Sequence, residues 1–247
     1  VDAADPLGPR LNQAFVEYAQ ARGFVVDPAR VRSPQDKPRV ERVVPFVREL
    51  AALGAVSVDT FHPEVARAAL AAGASIINDT TGLRDRAMAE MVADSDAAIV
   101  IAHSLVEPHY DDVAGEVAAF LRQRVELALA RGIPPERIII DPGHDLNKNT
   151  LQTLELTRRL DEIAALGYPL LVALSNKDFI GESLGRARDE RVAGSLAAAV
   201  FSVLHGARIV RAHNVPETVD ALRMVEAILG WRVPGDLVHN MRAEGND

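Results

Sequence analysis

The chain has 247 residues, 48% hydrophobic and 25% charged, a balance that fits a soluble globular protein whose core needs neither disulfides nor metals. It contains no cysteine, which excludes disulfide scaffolds, thiolate-metal sites and cysteine nucleophiles and fits a reducing cytoplasm. A formal net charge of -8 argues against nucleic acid or an anionic membrane as main partner, no apolar run approaches ~20 residues, and VDAADPLGPR at the start has no signal-peptide pattern.

From residue 23 onward, short β-rich runs alternate with longer segments rich in Ala, Leu, Glu and Arg. Gly23–Asp27 (GFVVD) is predicted as a strand, and Pro28–Pro38 is the most loop-like stretch. A strand at Ala55–Asp59 leads to a helix over Glu64–Ala72, with Pro63 at its start and Gly73 past its end. Strands follow at Ser75–Asn78 and Ala97–Ala102, then a helix over Val113–Arg131 closed by Gly132. The next strand is Arg137–Asp141, the next helix Leu151–Leu166 closed by Gly167. Pro169–Leu174 is a strand, Val192–His205 a helix closed by Gly206, Arg208–Arg211 a strand and Pro216–Leu229 a helix.

Near-continuous apolar strands separated by helices imply a parallel sheet covered by helices. Seven such units without a linker favour a single α/β domain over 1–247, a (β/α)8 TIM barrel, rather than a doubly wound sheet. No glycine-rich nucleotide loop follows any strand. No clear strand precedes Leu11–Arg22, so the first βα unit is expected to be truncated or altered.

In such barrels the C-terminal ends of the strands build the site. Those ends carry Asp59 and Thr60, Asn78 and Asp79, His103 and Ser104, Asp141, the run Ser175-Asn176-Lys177-Asp178, and Arg211 with His213. Asp59, Thr60, Asp79 and Asp178 would each also serve as a cap of the following helix. The chemistry of the whole set is more specific. Carboxylates at Asp59 and Asp141 with the Asn78 amide suit a flat ring bearing paired N–H donors, since two carboxylate oxygens match an aminopyrimidine edge. Lys177 would donate to a ring carbonyl, and Arg211 with His213 would hold a phosphate-like anion. A pterin carrying a diphosphate satisfies all of these. A lysine at a barrel strand end is also the usual Schiff-base nucleophile, but neighbouring acids raise rather than lower its pKa.

The stretches SVDTFHPEVARAALAAGASIINDTTG, IIIDPG, LGYPLLVALSNKDFIGESLG and GARIVRAHNVPETVDALRMVEAI resemble the dihydropteroate synthase family of pterin-binding barrels over most of residues 40–230. The forms DPGHDLNKNT and ALSNKDFIGESLG are most similar to the second synthase-like paralogue that actinobacteria carry beside their true synthase. The resemblance implies a TIM barrel, commonly dimeric, that transfers a pterin from its diphosphate to p-aminobenzoate, with magnesium supporting the departing diphosphate and no organic cofactor. It assigns the pterin to Asp59, Asn78, Asp141 and Lys177 and the diphosphate to Arg211 and His213.

Several positions depart from the family pattern. Its first loop carries Asn-x-Thr-Pro-Asp-Ser-Phe, whose counterpart here is VDAADPLG at Val1–Gly8 with Asp2 or Asp5. Its second loop, Gly-Gly/Glu-Ser-Thr-Arg-Pro-Gly, is replaced by DPARVRSPQDKP at Asp27–Pro38, with Arg32 and Ser33 as echoes. Where the family has Ser-Arg-Lys and then a serine that contacts p-aminobenzoate, this chain has Asn176 and Asp178 around Lys177. Where it has DPGIGFGK, this chain has DPGHDLNK, with His144 and Asp145 in place of small or apolar residues. A poorly solvated acid at position 178 is expected to repel a carboxylate substrate. The expectation is therefore a retained pterin pocket with an altered p-aminobenzoate side at Asn176, Asp178, His144 and Asp145. Two alternatives stand beside weak or normal synthase activity: an inactive or regulatory ligand-binding paralogue, and a transferase using a non-carboxylate second substrate.

Overall fold

Strands that rise through a packed core leave their last residues at one end of it, and the described residues repeat that arrangement six times. The structure, a computed structural model, describes residues 37–105, 109–235 and 237. The predicted strand Gly23–Asp27, the first βα unit and both altered family loops up to residue 36 lie outside the described residues.

The order is α1 (Lys37–Ala51), β1 (Ser57–Asp59), α2 (Pro63–Ala71), β2 (Ile76–Asp79), α3 (Arg86–Ala93), β3 (Ala98–Ala102), α4 (Val113–Ala130), β4 (Ile138–Asp141), α5 (Thr150–Arg158), α6 (Leu160–Ala164), β5 (Leu171–Val172), α7 (Asp178–Leu184), α8 (Val192–Leu204), β6 (Ile209–Val210) and α9 (Val215–Ile228). Strands β1 to β4 pair in parallel and in chain order. An isolated parallel bridge between Ile140 and Leu170 leads to the pair β5–β6, so all six follow one another around the core. The register sets Asp59 opposite Asn78 and Ala102 opposite Asp141, which brings the polar strand tips to one level.

The core holds Ile77, Ile99, Ile101, Ile138 and Ile140 from the strands against Met88, Leu121, Leu156 and Ile163 from the helices, all fully buried. A smaller cluster of Val47, Leu50, Val56, Ala69 and Ala72 packs α1 on α2. Local signals set the helix ends. Pro63 opens α2, the Asp85 carboxylate accepts from Ala87 N at 2.9 Å at the start of α3, and Asn149 with Gln152 forms a capping box on α5. The four glycines predicted to close helices, Gly73, Gly132, Gly167 and Gly206, have φ values of 107°, 88°, 84° and 103°.

Three features differ from the sequence reading. α1 begins at Lys37, inside the stretch read as loop, and carries Pro45 in its interior, which obscured its periodicity. The helix expected over Leu151–Leu166 breaks at Arg159 (φ -106°, ψ 29°) into α5 and α6. There the Arg159 guanidinium donates to Asp112, Glu155 and Glu162 at 2.6, 3.1 and 2.6 Å, tying the break to the start of α4. Two of the strand-tip residues for which capping was the alternative role, Asp79 and Thr60, close turns instead. Asp79 accepts from Thr81 N, Thr81 Oγ1 and Leu83 N at 2.8, 2.7 and 3.1 Å and so closes a turn. Thr60 accepts from His62 N at 3.1 Å. Among the described residues no helix is long and apolar enough to cross a membrane.

Candidate functional site

Asp59 ends β1, Asn78 is the last residue but one of β2, before Asp79, and Asp141 ends β4. Arg211 follows β6, its backbone N donating to Val172 O on β5 at 2.9 Å. Lys177 stands on the turn between β5 and α7. The side chains from these separate strands meet across the opening. Asn78 Nδ2 donates to Asp59 Oδ1 at 2.7 Å, and Arg211 Nη1 donates to Asp59 Oδ2 at 2.6 Å, joining β1 to β2 and to β6, 152 residues away. His213 N and Nδ1 each lie 3.1 Å from Ser175 Oγ, which links the residues after β6 to those after β5.

Asp141 is the acid at the base of this group. It is buried, one oxygen accepts from Gly143 N at 2.7 Å, and burial raises its pKa against the opposing fields of Lys177, Lys148 and Arg211. A buried carboxylate of this kind is stable only beside cations or donors, and it has three cations around it. Asn78 Oδ1 and both ring nitrogens of His144 are buried without a hydrogen-bond partner among the described residues. His144 is 1% exposed, and burial, followed by the fields of Lys177 and Lys148, holds its pKa well below the usual histidine range. Its backbone oxygen accepts from Lys177 Nζ.

The loop after β4 organises the rest. Asp145 and Asn147 have φ of 60° and 54°, left-handed conformations that Asp and Asn tolerate better than other non-glycine residues, and the family motif DPGIGFGK has glycine at both positions. The Asp145 carboxylate accepts from Asp178 N at 2.8 Å, Phe179 N at 3.4 Å and Thr153 Oγ1 at 3.2 Å, so it caps α7 from a distant part of the chain. Asn147 Nδ2 donates to Leu105 O and Ser104 Oγ. A Cβ on Gly143 (φ 67°) would overlap the His103 carbonyl oxygen, which is why this residue has no side chain.

Two of the residues expected to mark an altered second-substrate side have specific partners. Asn176 (φ 58°) accepts from Ser195 Oγ at 3.3 Å, and Asp178 accepts from Arg191 Nη1 at 2.9 Å. The Asp178 side chain is 86% exposed, whereas Arg191 is 13% exposed and also donates to Asn176 O at 3.0 Å. The expected repulsion assumed a poorly solvated acid; solvent and the Arg191 partner remove that premise, so Asp178 is a weaker barrier to a carboxylate than the sequence suggested. Lys148 and Arg191 were not singled out from the sequence. Lys148 lies within the DPGHDLNK variant, three residues after Asp145 and one after Asn147, and nothing in the local pattern marks it as buried.

The model of the family of pterin binding enzymes matches residues 28–213. The chain belongs to the pterin binding enzyme family. Over 221 residues it is 38% identical to the protein of Mycobacterium leprae (strain TN) named inactive dihydropteroate synthase 2, covering 82% of this chain and 75% of that one. Over 226 residues it is 40% identical to the dihydropteroate synthase of the same strain, covering 84% of this chain and 78% of that one. The structure of dihydropteroate synthase from Xanthomonas albilineans in complex with 7,8-dihydropteroate superposes with a TM-score of 0.75 at 43% identity, covering 79% of this chain and 74% of that one. Kinship to the dihydropteroate synthases gives the six described βα repeats their architecture, the (β/α)8 TIM barrel. Among the described residues no group of three or more His, Asp or Glu side chains is placed to hold a metal ion.

Proposed function

We propose that this dihydropteroate synthase-like chain binds a pterin carrying a diphosphate at the mouth of a single barrel domain, and that its second-substrate side is altered. The observation that carries the reading is the buried Asp141 in the fields of Lys177, Lys148 and Arg211, with Asp59 and Asn78 bonded to each other at neighbouring strand ends. Asp141 and Asn78 supply acceptors for the amino edge of the ring, and Lys177 a donor for its carbonyl. Arg211 and His213 supply the anion side. On binding, a diphosphate competes with Asp59 for Arg211, and the freed carboxylate is then available to the ring. Cations that neutralise a leaving diphosphate, with acceptors around a ring developing positive charge, form the electrostatic arrangement such a transfer requires. Magnesium enters this reading as a companion of the diphosphate, keeping its own waters; the described carboxylates form no cage for it.

The capping of α7 by Asp145 favours the reading in which p-aminobenzoate is not used. In the family the residue after the lysine contacts that substrate, and here the backbone N–H of this residue, Asp178, is already taken by an internal carboxylate. A binding or regulatory paralogue, or a transferase with a neutral or cationic second substrate, fits this arrangement. Calorimetry with a pterin diphosphate and Mg2+, followed by p-aminobenzoate, tests both parts. Pterin binding with no response to p-aminobenzoate supports the reading, and no heat with the pterin refutes it.

A homodimer is part of the same proposal. Exposed apolar residues on the adjoining helices α8 and α9, namely Phe201, Leu204, Met224 and Ile228, support an apolar face that a second copy would cover. The absence of cysteine supports a reducing, cytoplasmic setting.

A further inference from the structure

Resting on the pterin reading above, we propose that Lys148 is a positioning residue: its ammonium ties the loop Gly143–Leu146 to His103, and this loop presents the His144 carbonyl to Lys177 and the Asp145 carboxylate to α7. Lys148 is 7% exposed, and its Nζ lies 2.9 Å from Gly143 O, 3.2 Å from Leu146 O and 3.0 Å from His103 Nδ1. An ammonium has three N–H donors, and each of them has an acceptor here. His103 is itself buried, and burial and the Lys148 charge lower its pKa to about 3, so it accepts at Nδ1 as a neutral ring. The lysine therefore joins the end of β3 to the loop after β4, and the loop joins both to the start of α7. Without it, the buried His103 Nδ1 and the half-buried Leu146 O lose this donor, and Gly143 O keeps only Leu146 N, at 2.9 Å.

The protonation of Lys148 bears on this geometry because a neutral amine has only two N–H donors. The groups facing it are Asp141 and Asp145, which favour its charge, Lys177, which opposes it, the rings of His103 and His144, and the Tyr110 ring with its centroid 5.9 Å from Nζ. Burial dominates and lowers its pKa to about 7, so ammonium and amine coexist near neutral pH. Raising the pH through neutrality removes one of the three bonds and slackens the support of Lys177.

Two measurements test this on the whole chain. The first is binding of 6-hydroxymethylpterin, which lacks the diphosphate, from about pH 5.5 to about pH 8.5. Wild-type affinity is expected to fall roughly tenfold across that range, while Lys148→Met, which removes all three bonds, binds no more tightly than the wild type at high pH and with a flat profile. A Lys148→Met variant that keeps the wild-type affinity and profile overturns the proposal. The second reads the coupling without ligand, by amide hydrogen exchange. In Lys148→Met, segments 143–147 and 177–181 are expected to exchange about tenfold faster while α2 and α4 keep their protection. Unchanged exchange at 177–181 overturns the proposal even if the pterin fails to bind, and failure of the wild type to bind at any pH refutes the pterin reading separately.

Discussion

Replacing Asp145 with Asn, Gly and Ala separates three effects that meet at one residue. The carboxylate caps α7 through Asp178 N and Phe179 N, the backbone has φ 60°, and the side chain carries a negative charge to the rim. Loss of an N-cap costs about 1 kcal/mol. A left-handed conformation costs about 1–2 kcal/mol for an ordinary L-residue, little for Asn and nothing for Gly. Asp145→Asn keeps both the cap and the tolerance, so its stability is expected within about 0.5 kcal/mol of wild type. Asp145→Gly loses the cap but relieves the backbone, for a net loss of about 1 kcal/mol or less. Asp145→Ala loses the cap and adds strain, for about 2–3 kcal/mol. Urea unfolding at constant m value gives all three numbers. Equal losses for Ala and Gly would refute the strain component, and an Asn variant as unstable as Ala would refute the capping. The same series reads function: with pterin diphosphate bound, Asp145→Gly is expected to gain a p-aminobenzoate response that Asp145→Asn, still filling the helix start, lacks.

Other outcomes follow from the same geometry. Asp141→Asn leaves Lys177 and Lys148 without their shared buried acid, and it is expected to cost about 3 kcal/mol in unfolding measurements and to abolish pterin binding in calorimetry. Gly143→Ala is expected to cost more than about 2 kcal/mol because the new methyl meets the His103 carbonyl, whereas Gly167→Ala, with open space around it, costs only the left-handed penalty of about 1 kcal/mol; thermal melts compare them directly. Lys148 also gives stability a pH dependence of definite sign. Its pKa is lowered on folding from 10.5 to about 7, so between those values the unfolded chain holds a proton that the folded chain has released. Stability therefore rises with pH through that window, and Lys148→Met flattens the rise; urea midpoints across the range check it.

Much of the architecture was legible from local patterns. The strand runs, the helix-closing glycines and the polar strand tips all show in the chain, because alternation of apolar and polar residues with helix-stop signals is local information. Asp59, Asn78, Asp141, Lys177 and Arg211 were placed correctly at strand ends for the same reason. What the sequence leaves open is which donors and acceptors the folded backbone brings to each polar side chain, whether they are near in the chain or far from it. Asp79 and Thr60 resembled helix caps, but whether a carboxylate caps a helix or closes a turn is decided by which N–H groups reach it. The charge of Asp178 looked decisive until Arg191, thirteen residues on, came to lie against it.

Lys148 is the clearest case of the division. The composition and periodicity of the chain settle that a lysine follows the β4 strand end and that a barrel rim is built there. Only packing settles that this lysine is buried among Gly143, Leu146 and His103, since its acceptors come from a loop in left-handed conformation and from a strand 45 residues earlier. Strands and helices are specified by residues near in sequence, but a buried charge is tolerated or excluded according to the donors, acceptors and opposite charges that tertiary folding brings within a few ångströms of it.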